Sequence, residues 1–301
     1  MKKLFLLLFS IIIILGAFYF SWLNPRYVVP ILTYHNIGYG HDGFYVSPEN
    51  FTKQMGYIKK NGYEVITLDE LIRGIKDKKG FKRNKVVITF DDGYKDNFEY
   101  AYPVLKRFDF PATIFIITDL IDKSSMGVLK KFLNWNEVIA ISKEKITFGG
   151  HTYIFTMANH IRGEEKKFLN WNEVRIMSKD GVFFGAHTKS HFYLGSWLLK
   201  DDEIALEEIA GSKKAIEQKI GMPVDYFCYP GGGFNAKAKE LVIQAGYKGA
   251  CTTNRGFAKF NSDVYELKRI KITNSDATKP FSFWAKLSGY YTVFKKQKNP
   301  Y

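Results

Sequence analysis

Two adjacent carboxylates, Asp91 and Asp92, stand at the end of an apolar, β-branched stretch. Residues 86–90, Val-Val-Ile-Thr-Phe, have the composition of a buried strand, and Gly93 allows a turn directly after the acids. Neighbouring side chains of a strand point to opposite sides, so one carboxylate can bind a cation while the other moves protons. The alternative is a solvated Asp-Asp-Gly turn without a ligand.

Two histidines, His187 and His191, follow a second apolar stretch at residues 182–186. A spacing of four predicts that both rings lie on one side of a helical turn. Two neutral imidazoles and one carboxylate suit Zn²⁺ or a similar divalent ion, with positions left open for water and substrate. The sequence therefore offers Asp92, His187 and His191 as one ligand set, although a histidine pair at this spacing can also be incidental.

In combination, these motifs resemble the metal-dependent polysaccharide deacetylases of carbohydrate esterase family 4. Residues 89–93 match its Thr-Phe-Asp-Asp-Gly motif, and residues 187–191 match its His-(Ser/Thr)-x-x-His motif. Residues 226–232 resemble its strand followed by Pro-Gly. The opening residues 30–35 resemble the branch that deacetylates poly-N-acetylglucosamine, in which an early histidine replaces a late one. The resemblance extends from about residue 30 to residue 272.

The resemblance implies a role for each of these side chains. Asp91 would be the general base, Asp92, His187 and His191 the metal ligands, and His35 the general acid. Hydrolysis of an N-acetyl amide requires an activated water, stabilisation of the carbonyl oxygen and a proton for the departing amine. These roles supply all three needs, with Zn²⁺ as the expected ion. For His35 a purely structural role is the alternative.

Candidates for contacting the oxyanion or the substrate lie in two loops. A backbone N–H near Gly231 is the expected oxyanion donor, and Tyr229 and Tyr94 are further candidates for contacts to the oxyanion or substrate. Aromatic side chains at loop ends are candidates for stacking on sugar rings, or else belong to the core. They are Tyr94, Phe192, Tyr193, Trp197 and Phe234.

Two positions depart from the family pattern. Many members have an arginine where Cys228 stands and a tyrosine where Gly231 stands, so these supports of the site are missing or moved. The run of glycines at 231–233 is expected to leave its loop unusually free. A catalytically inactive, carbohydrate-binding relative is therefore the alternative function. An unrelated metal hydrolase, such as a phosphoesterase, would usually show ligands for a second metal, and none stands out.

The chain contains a local tandem duplication. Residues 130–138 recur unchanged as residues 166–174, and the match resumes at 148–152 against 184–188. Only the second copy completes the histidine pair, so we place it in the sheet and treat residues 124–165 as an insert at the rim. His151 and His160 of the insert could reach the metal or substrate. We instead expect a flap, or a competitor for the second copy's place during folding.

The N-terminus predicts a membrane location. Residues 4–23 form an uncharged apolar run after Met1-Lys2-Lys3, and about 20 apolar residues can cross a bilayer as a helix. The positive start stays in the cytoplasm, which places the remainder outside. We expect residues 1–24 to be an anchor or uncleaved signal and the catalytic domain to lie in the cell envelope. Cleavage of this segment would make the protein secreted.

The remaining chain predicts one large domain, residues 25–275, followed by a basic, aromatic tail, residues 276–301. Strands alternate with helices, which implies a parallel α/β sheet. With the family resemblance, this predicts a distorted (β/α) barrel of about seven units. The tail either lies against a membrane or packs its aromatic residues on the barrel, which is the preferred interpretation. The first helix of the domain should begin after Ser47, with Pro48 at its first position.

Charge and cysteine content limit the partners. The net charge is +14, which favours anionic envelope surfaces, and no nucleic-acid recognition motif is present. The expected partners are an N-acetylated polysaccharide and the membrane, with the protein a monomer. Cys228 and Cys251 either pair, if their strands are neighbours, or remain buried thiols.

Overall fold

The structure is a computed structural model that describes residues 2–19, 21, 27–40, 42–121, 167–195, 202–253 and 262–291. The insert at 124–165, with His151 and His160, lies outside the described residues, as does Trp197. At the N-terminus, helix α1 spans Lys2–Phe18. Within the described ranges, no helix is both long enough and apolar enough to cross a membrane. A membrane-spanning helix over residues 4–23 therefore stays a prediction.

A parallel sheet of nine strands organises the domain. Its strands, together with the separate pair β2 and β3, are β1 Ile31–Tyr34, β2 Asn36–Ile37, β3 Tyr45–Val46, β4 Glu64–Val65, β5 Lys85–Phe90, β6 Ala112–Ile116, β7 Val182–Ala186, β8 Tyr226–Cys228, β9 Gly249–Thr252, β10 Leu267–Lys268 and β11 Ile270–Lys271. Along the sheet the order is β10-β9-β8-β7-β6-β5-β1-β11, with β4 paired to β5. Only Arg269 separates the two end strands in the chain, so the sheet nearly closes on itself.

This nearly closed parallel barrel confirms the predicted α/β barrel class, with eight strands along its main path. The helices after α1 are α2 Pro48–Lys60, α3 Leu68–Lys76, α4 Tyr102–Phe108, α5 Trp171–Lys179, α6 Asp202–Leu206, α7 Ser212–Ile220, α8 Ala236–Gln244 and α9 Pro280–Leu287. Helix α2 begins as predicted, because Ser47 accepts a hydrogen bond from the Asn50 N–H and Pro48 follows it.

The second copy of the duplication supplies a central strand. Strand β7 lies between β6 and β8, with all five of its residues paired to β6. Helix α5 precedes it and is capped by Asn170. The Asn170 side chain accepts a hydrogen bond from the Glu173 N–H, and the Glu173 side chain accepts one from the Asn170 N–H. Placement of the second copy in the sheet is thus confirmed.

Alternation along the strands divides the core in two. Leu32, Ile88 and Phe90 pack in the larger cluster together with α2 and α4, whereas Ile31 and Val87 pack in the smaller one. The smaller cluster also contains residues of α3 and both cysteines, which are buried free thiols on neighbouring strands in register. Along β5 the same alternation continues from Val87 through Thr89 to Asp91. The alternation of side chains along β5 therefore places Asp91 on the side of the smaller cluster.

Part of the segment after the last strand packs on the barrel, and residues 292–301 of the predicted tail lie outside the described residues. Phe283 and Leu287 of α9 are buried in the larger cluster, whereas Phe281 and Trp284 are exposed. The Lys286 ammonium bonds the buried Asp276 carboxylate at 2.7 Å. Residues 276–287 are therefore an integral part of the folded domain.

Candidate active site and metal centre

The two acids leave β5 in different directions because the chain turns between them. The Asp91 N–H still donates to the Tyr34 carbonyl at 3.0 Å, which continues the pairing of β5 with β1. Asp92 and Gly93 then adopt left-handed conformations, with φ of +73° and +74°. A side chain at position 93 would come within 2.8 Å of the Ile116 methyl carbon, so glycine is required for space as well as for conformation.

The histidine pair follows β7, but the predicted helical turn is wrong. The His187 N–H donates to the Ile116 carbonyl, whereas Thr188 and His191 have left-handed φ values of +62° and +65°. The Thr188 hydroxyl accepts from the Phe192 N–H at 2.9 Å and stabilises this irregular turn. The two imidazoles nevertheless converge, with ring centroids 4.7 Å apart and planes at 79°.

Asp92, His187 and His191 together form a compact set of possible ligands. The Nε2 atoms of His187 and His191 lie 3.5 and 3.4 Å from Asp92 Oδ1, and one ligand atom from each residue fits within 4.8 Å. His187 Nδ1 lies 2.7 Å from the Cys228 carbonyl, to which it must donate, so Nε2 is the nitrogen that faces Asp92 and that would bind a metal after losing its proton. Two nitrogens and one carboxylate oxygen fit a divalent ion such as Zn²⁺.

The charge state of Asp92 also suits a ligand. Burial would raise the pKa of this carboxyl, but hydrogen bonds from His187 and His191 outweigh burial and hold the pKa well below its usual value. Asp92 is therefore a carboxylate at neutral pH.

A second cluster, Asp91, His187 and Cys228, is similarly compact but fits a metal less well. Both Asp91 oxygens already accept hydrogen bonds from Arg269, at 2.6 and 2.7 Å. Burial raises the pKa of the Cys228 thiol, which disfavours the thiolate that metal binding needs. The set built on Asp92 is the better candidate, and Asp91 stands beside it as a separate carboxylate.

Arg269 is the functional residue that sequence reasoning missed. Its buried guanidinium makes five contacts, which join the seam between β10 and β11 to three other strands. Besides Asp91, its partners are the Thr252 carbonyl at 3.0 Å, the Thr89 hydroxyl at 3.2 Å and Cys228 Sγ at 3.0 Å. The arginine absent from position 228 is therefore moved, since Arg269 reaches the same place from another strand.

Arg269 decides the protonation state of Asp91. Burial alone would raise the pKa of Asp91, but the charge and hydrogen bonds of Arg269 hold the pKa below the ordinary carboxyl value. Residues 267–272, Leu-Lys-Arg-Ile-Lys-Ile, contain three basic side chains, so no local signal marks Arg269 as the one that pairs with Asp91.

His35 lies at the edge of the same group. Its Nε2 is 3.8 Å from Asp91 Oδ2, and its carbonyl accepts from the Asn97 amide at 2.8 Å, a contact that sequence reasoning also missed. The ring packs edge-on against Phe44. Burial lowers the pKa of His35, and the neighbouring Asp91 and Asp92 only partly oppose this. His35 is therefore neutral at rest near pH 7.

Three of the side chains proposed for sugar or oxyanion contacts are buried in the structure. Tyr229 is fully buried and stacks on Phe234, itself fully buried, at 4.5 Å between centroids. Tyr94 is 9% exposed and stacks on Phe168. Burial raises the pKa of the Tyr94 hydroxyl well above its usual value, and the nearby Asp92 raises it further. Phe192 and Tyr193 are partly exposed.

Hydrogen bonds hold the loop of glycines at 231–233 in place, so the prediction that this loop is unusually flexible is wrong. Gly231 and Gly232 have left-handed φ values of +60° and +71°. The Gly232 and Gly233 N–H groups donate to the Tyr229 and Pro230 carbonyls, and the Thr252 hydroxyl donates to the Gly232 carbonyl at 2.6 Å. These bonds close a tight turn directly after β8 and leave the Gly231 N–H outside the turn bonds.

Comparisons with known proteins agree with this arrangement. A sequence profile described as polysaccharide deacetylase matches residues 78–250. The chain is 27% identical to YxkH of Bacillus subtilis over 245 residues, which cover 81% of this chain and 71% of YxkH. It is 24% identical over 230 residues to a poly-β-1,6-N-acetyl-D-glucosamine N-deacetylase of Staphylococcus aureus, with 76% of this chain and 68% of that protein covered.

The fold has a close counterpart among solved structures. Streptococcus pyogenes deacetylase PplD, solved with acetate, superposes with a TM-score of 0.64 at 23% identity. The match covers 85% of this chain and 98% of that one. It supports the barrel fold of the described chain.

The ligand set can be tested by metal binding. We expect His191→Ala to weaken Zn²⁺ affinity more than about 100-fold, because loss of an outer contact alone typically costs 10–100-fold. His35→Ala should bind Zn²⁺ like the wild type, since His35 is outside the set. Affinity is measured by competition with a chelating dye. Equal losses in both variants would refute the assignment of ligands.

The Asp91–Arg269 pair can be tested by stability against pH. Arg269→Gln leaves a buried carboxylate unpaired, so we expect a loss of about 3–5 kcal/mol at pH 7 in chemical denaturation. The pair stabilises above the unfolded carboxyl pKa, and its contribution is lost as pH falls through the lowered folded pKa. The deficit should therefore shrink below about pH 4.

Arg269→Lys is the matched control. It keeps the positive charge but not the paired hydrogen bonds, so an intermediate deficit is expected. A deficit of Arg269→Gln that stays constant from pH 7 to pH 3 would contradict the pairing.

Proposed function

The chain belongs to the polysaccharide deacetylase family, and we propose that it removes N-acetyl groups from an N-acetylglucosamine-containing polysaccharide with the aid of a divalent metal, Zn²⁺ above all. One observation carries this proposal. The set Asp92, His187 and His191 lies beside an ionised carboxylate, Asp91, and a neutral imidazole, His35. These are the groups that metal-assisted amide hydrolysis requires.

The substrate class is supported by the relatives. The Staphylococcus aureus relative is a poly-β-1,6-N-acetyl-D-glucosamine N-deacetylase. The position of His35 before the first helix of the domain is also the feature by which the sequence resembles that branch. We therefore propose a polymer of N-acetylglucosamine as the substrate.

Asp91 would act as the general base. Arg269 donates one hydrogen bond to each Asp91 oxygen and keeps the group ionised, so each oxygen retains a second lone pair that can accept the proton of an attacking water. When bound, the metal would polarise the amide carbonyl and lower the pKa of the water. The Gly231 N–H, which the turn bonds leave unused, is proposed to donate to the oxyanion.

His35 would deliver the proton to the departing amine. It is neutral at rest, so it must first gain a proton, and Asp91 is 3.8 Å away. We propose that the proton taken by Asp91 passes to His35 and then to the amine. The Asn97 amide, bound to the His35 carbonyl, fixes the backbone from which the ring projects.

The inactive alternative loses its main argument. It rests on the departures at positions 228 and 231 and on the duplicated insert. Arg269 contacts both Asp91 and Cys228 Sγ, so the carboxylate is supported despite the first departure. No feature of the described residues favours a binding function over hydrolysis.

We also propose that the N-terminal segment anchors the protein, with its catalytic domain on the extracytoplasmic side and the protein a monomer. The support is the uncharged run of residues 4–23 after two lysines. Such a location would place the site beside envelope polysaccharides.

Acetate release tests the proposed reaction. The full chain in detergent, loaded with Zn²⁺, should release acetate from N-acetylglucosamine oligomers, and a chelator should stop the release. Asp91→Asn should lower kcat about 10²–10⁴-fold, because general base catalysis contributes that factor. Metal affinity should persist in this variant. Loaded protein that binds oligomers but releases no acetate from any N-acetylated glycan would favour the inactive alternative.

Cell fractionation tests the anchor. The full chain should stay with membranes through a high-salt wash, because an apolar helix is insensitive to ionic screening. A chain lacking residues 2–24 and expressed without a signal should be recovered in the soluble fraction. Release of the full chain by salt alone would contradict an anchoring helix.

A further inference from the structure

The turn that carries His187 and His191 is irregular, so its backbone N–H groups need partners from other parts of the protein. Thr188 and His191 have left-handed φ values, which rules out the regular hydrogen bonds of a helix through this turn. A backbone N–H that is shielded from water and unpaired costs free energy. The N–H groups between the two histidines, those of Lys189 and Ser190, are therefore the places where the turn must be held.

A single carboxylate, that of Glu208, accepts three hydrogen bonds from the middle of this turn. Its Oε2 atom accepts from the Lys189 N–H and from the Ser190 N–H, both at 2.9 Å. Its Oε1 atom accepts from the Ser190 hydroxyl at 2.7 Å. Both oxygens are thus used on the turn, and Glu208 belongs to neither of the possible ligand sets among the described residues.

The loop after β6 holds the same turn from another side. The Thr118 N–H donates to the Thr188 carbonyl at 3.4 Å, and the Asp119 N–H donates to the Lys189 carbonyl at 2.9 Å. These bonds fix carbonyl groups of the turn, whereas Glu208 fixes its N–H groups. The carboxylate therefore completes a frame that the neighbouring strand begins.

The helical run that contains Glu208 departs from regular geometry at this residue. A π-helical segment, Glu207–Gly211, joins α6 to α7. Such segments are rare and occur frequently at functional sites. The Ile209 carbonyl inside it accepts from the Ser212 and Tyr247 hydroxyls, at 2.8 and 2.9 Å, which stabilises the irregular backbone. A methyl group at Gly211 would lie 2.9 Å from the Lys189 side chain, so the glycine lets the helix approach the turn closely.

We propose that Glu208 is a positioning residue that holds the histidine turn in the geometry needed for metal binding. The inference rests on the ligand set of the proposed function and adds a residue outside that set. The His187 ring is also held by the Cys228 carbonyl through its Nδ1 atom. His191 comes after the two N–H groups that Glu208 binds, so loss of this carboxylate should mainly displace His191.

Zn²⁺ binding by the full chain tests the proposal. Glu208→Ala should weaken Zn²⁺ affinity about 10–100-fold in the competition with a chelating dye, the range typical of lost contacts around metal ligands. Alanine favours helices, so the helical run should persist in this variant. Glu208→Gln should recover most of the affinity, because its amide oxygen can accept both N–H bonds and its NH₂ group can donate to the Ser190 hydroxyl.

Bound Co²⁺ provides a readout of ligand geometry that overall stability does not affect. Its visible absorption depends on the arrangement of the ligands around the ion. Glu208→Ala saturated with Co²⁺ should give a spectrum different from that of the wild type, and Glu208→Gln should give the wild-type spectrum. An unchanged spectrum in the saturated Glu208→Ala protein would contradict a positioning role.

Glu207→Ala is the matched control. This neighbouring carboxylate is 66% exposed and bonds the Lys189 ammonium at 2.6 Å, whereas Glu208 bonds the backbone of the turn. Zn²⁺ affinity of Glu207→Ala should match that of the wild type.

Ser190→Ala tests the contact from the side of the turn. It removes only the bond to Oε1, so we expect a smaller loss of Zn²⁺ affinity than in Glu208→Ala. In the Glu208→Ala background it should cause no further loss, because the partner is already absent. If Glu208→Ala fails to fold, the loss of affinity in Ser190→Ala decides the proposal.

Three results would overturn the proposal. They are wild-type Zn²⁺ affinity in both Glu208→Ala and Ser190→Ala, an equal loss in Glu207→Ala, or equal losses in Glu208→Ala and Glu208→Gln, which would assign the effect to charge. Zn²⁺ affinity is measured without substrate. Failure of the proposed function is therefore distinct, since the wild type would then release no acetate while its metal affinity still depended on Glu208.

Discussion

The buried ion pair between Asp91 and Arg269 is the interaction on which the site depends. Two charges removed from water are costly unless every hydrogen-bonding position is used, and the five contacts of the guanidinium meet this condition. The same contacts join the seam of the barrel to β5, β8 and β9. The same ion pair therefore stabilises the closed sheet and keeps the proposed base ionised.

Around this pair, three residues with strained backbone lie at or beside the candidate metal ligands. Asp92, Thr188 and His191 all have positive φ, and such conformations cost of order 1 kcal/mol or more for residues with a side chain. They follow β5 and β7, whose parallel pairing to β6 is the rigid framework. The turns could not be replaced by a regular helix without moving the imidazoles away from Asp92. The strained turns are thus needed to bring the two imidazoles close to Asp92, and the paired strands supply the stability that offsets this strain.

Features set by local sequence were predictable, and features set by distant neighbours were not. The bounds of β5 followed from its β-branched run, and the start of α2 followed from Ser47 and Pro48, because these signals act within a few residues. The proximity of Asp92, His187 and His191 followed from two motifs. Arg269 was missed because its partner is 178 residues earlier in the chain. The burial of Tyr94 and Tyr229 depends on Phe168 and Phe234, which no local pattern connects to them.

The junction of β10 and β11 has a consequence for the order of events during synthesis. Asp91 emerges from the ribosome long before Arg269, and strands β1 and β5 to β9 are complete before the residue that neutralises it. Until then the guanidinium that bonds both Asp91 oxygens has not been synthesised, so this carboxylate must remain hydrated. Maturation of the Asp91 carboxylate is in this way coupled to arrival of nearly the whole polypeptide, and a chain that ended before Arg269 would leave the proposed base without its guanidinium partner.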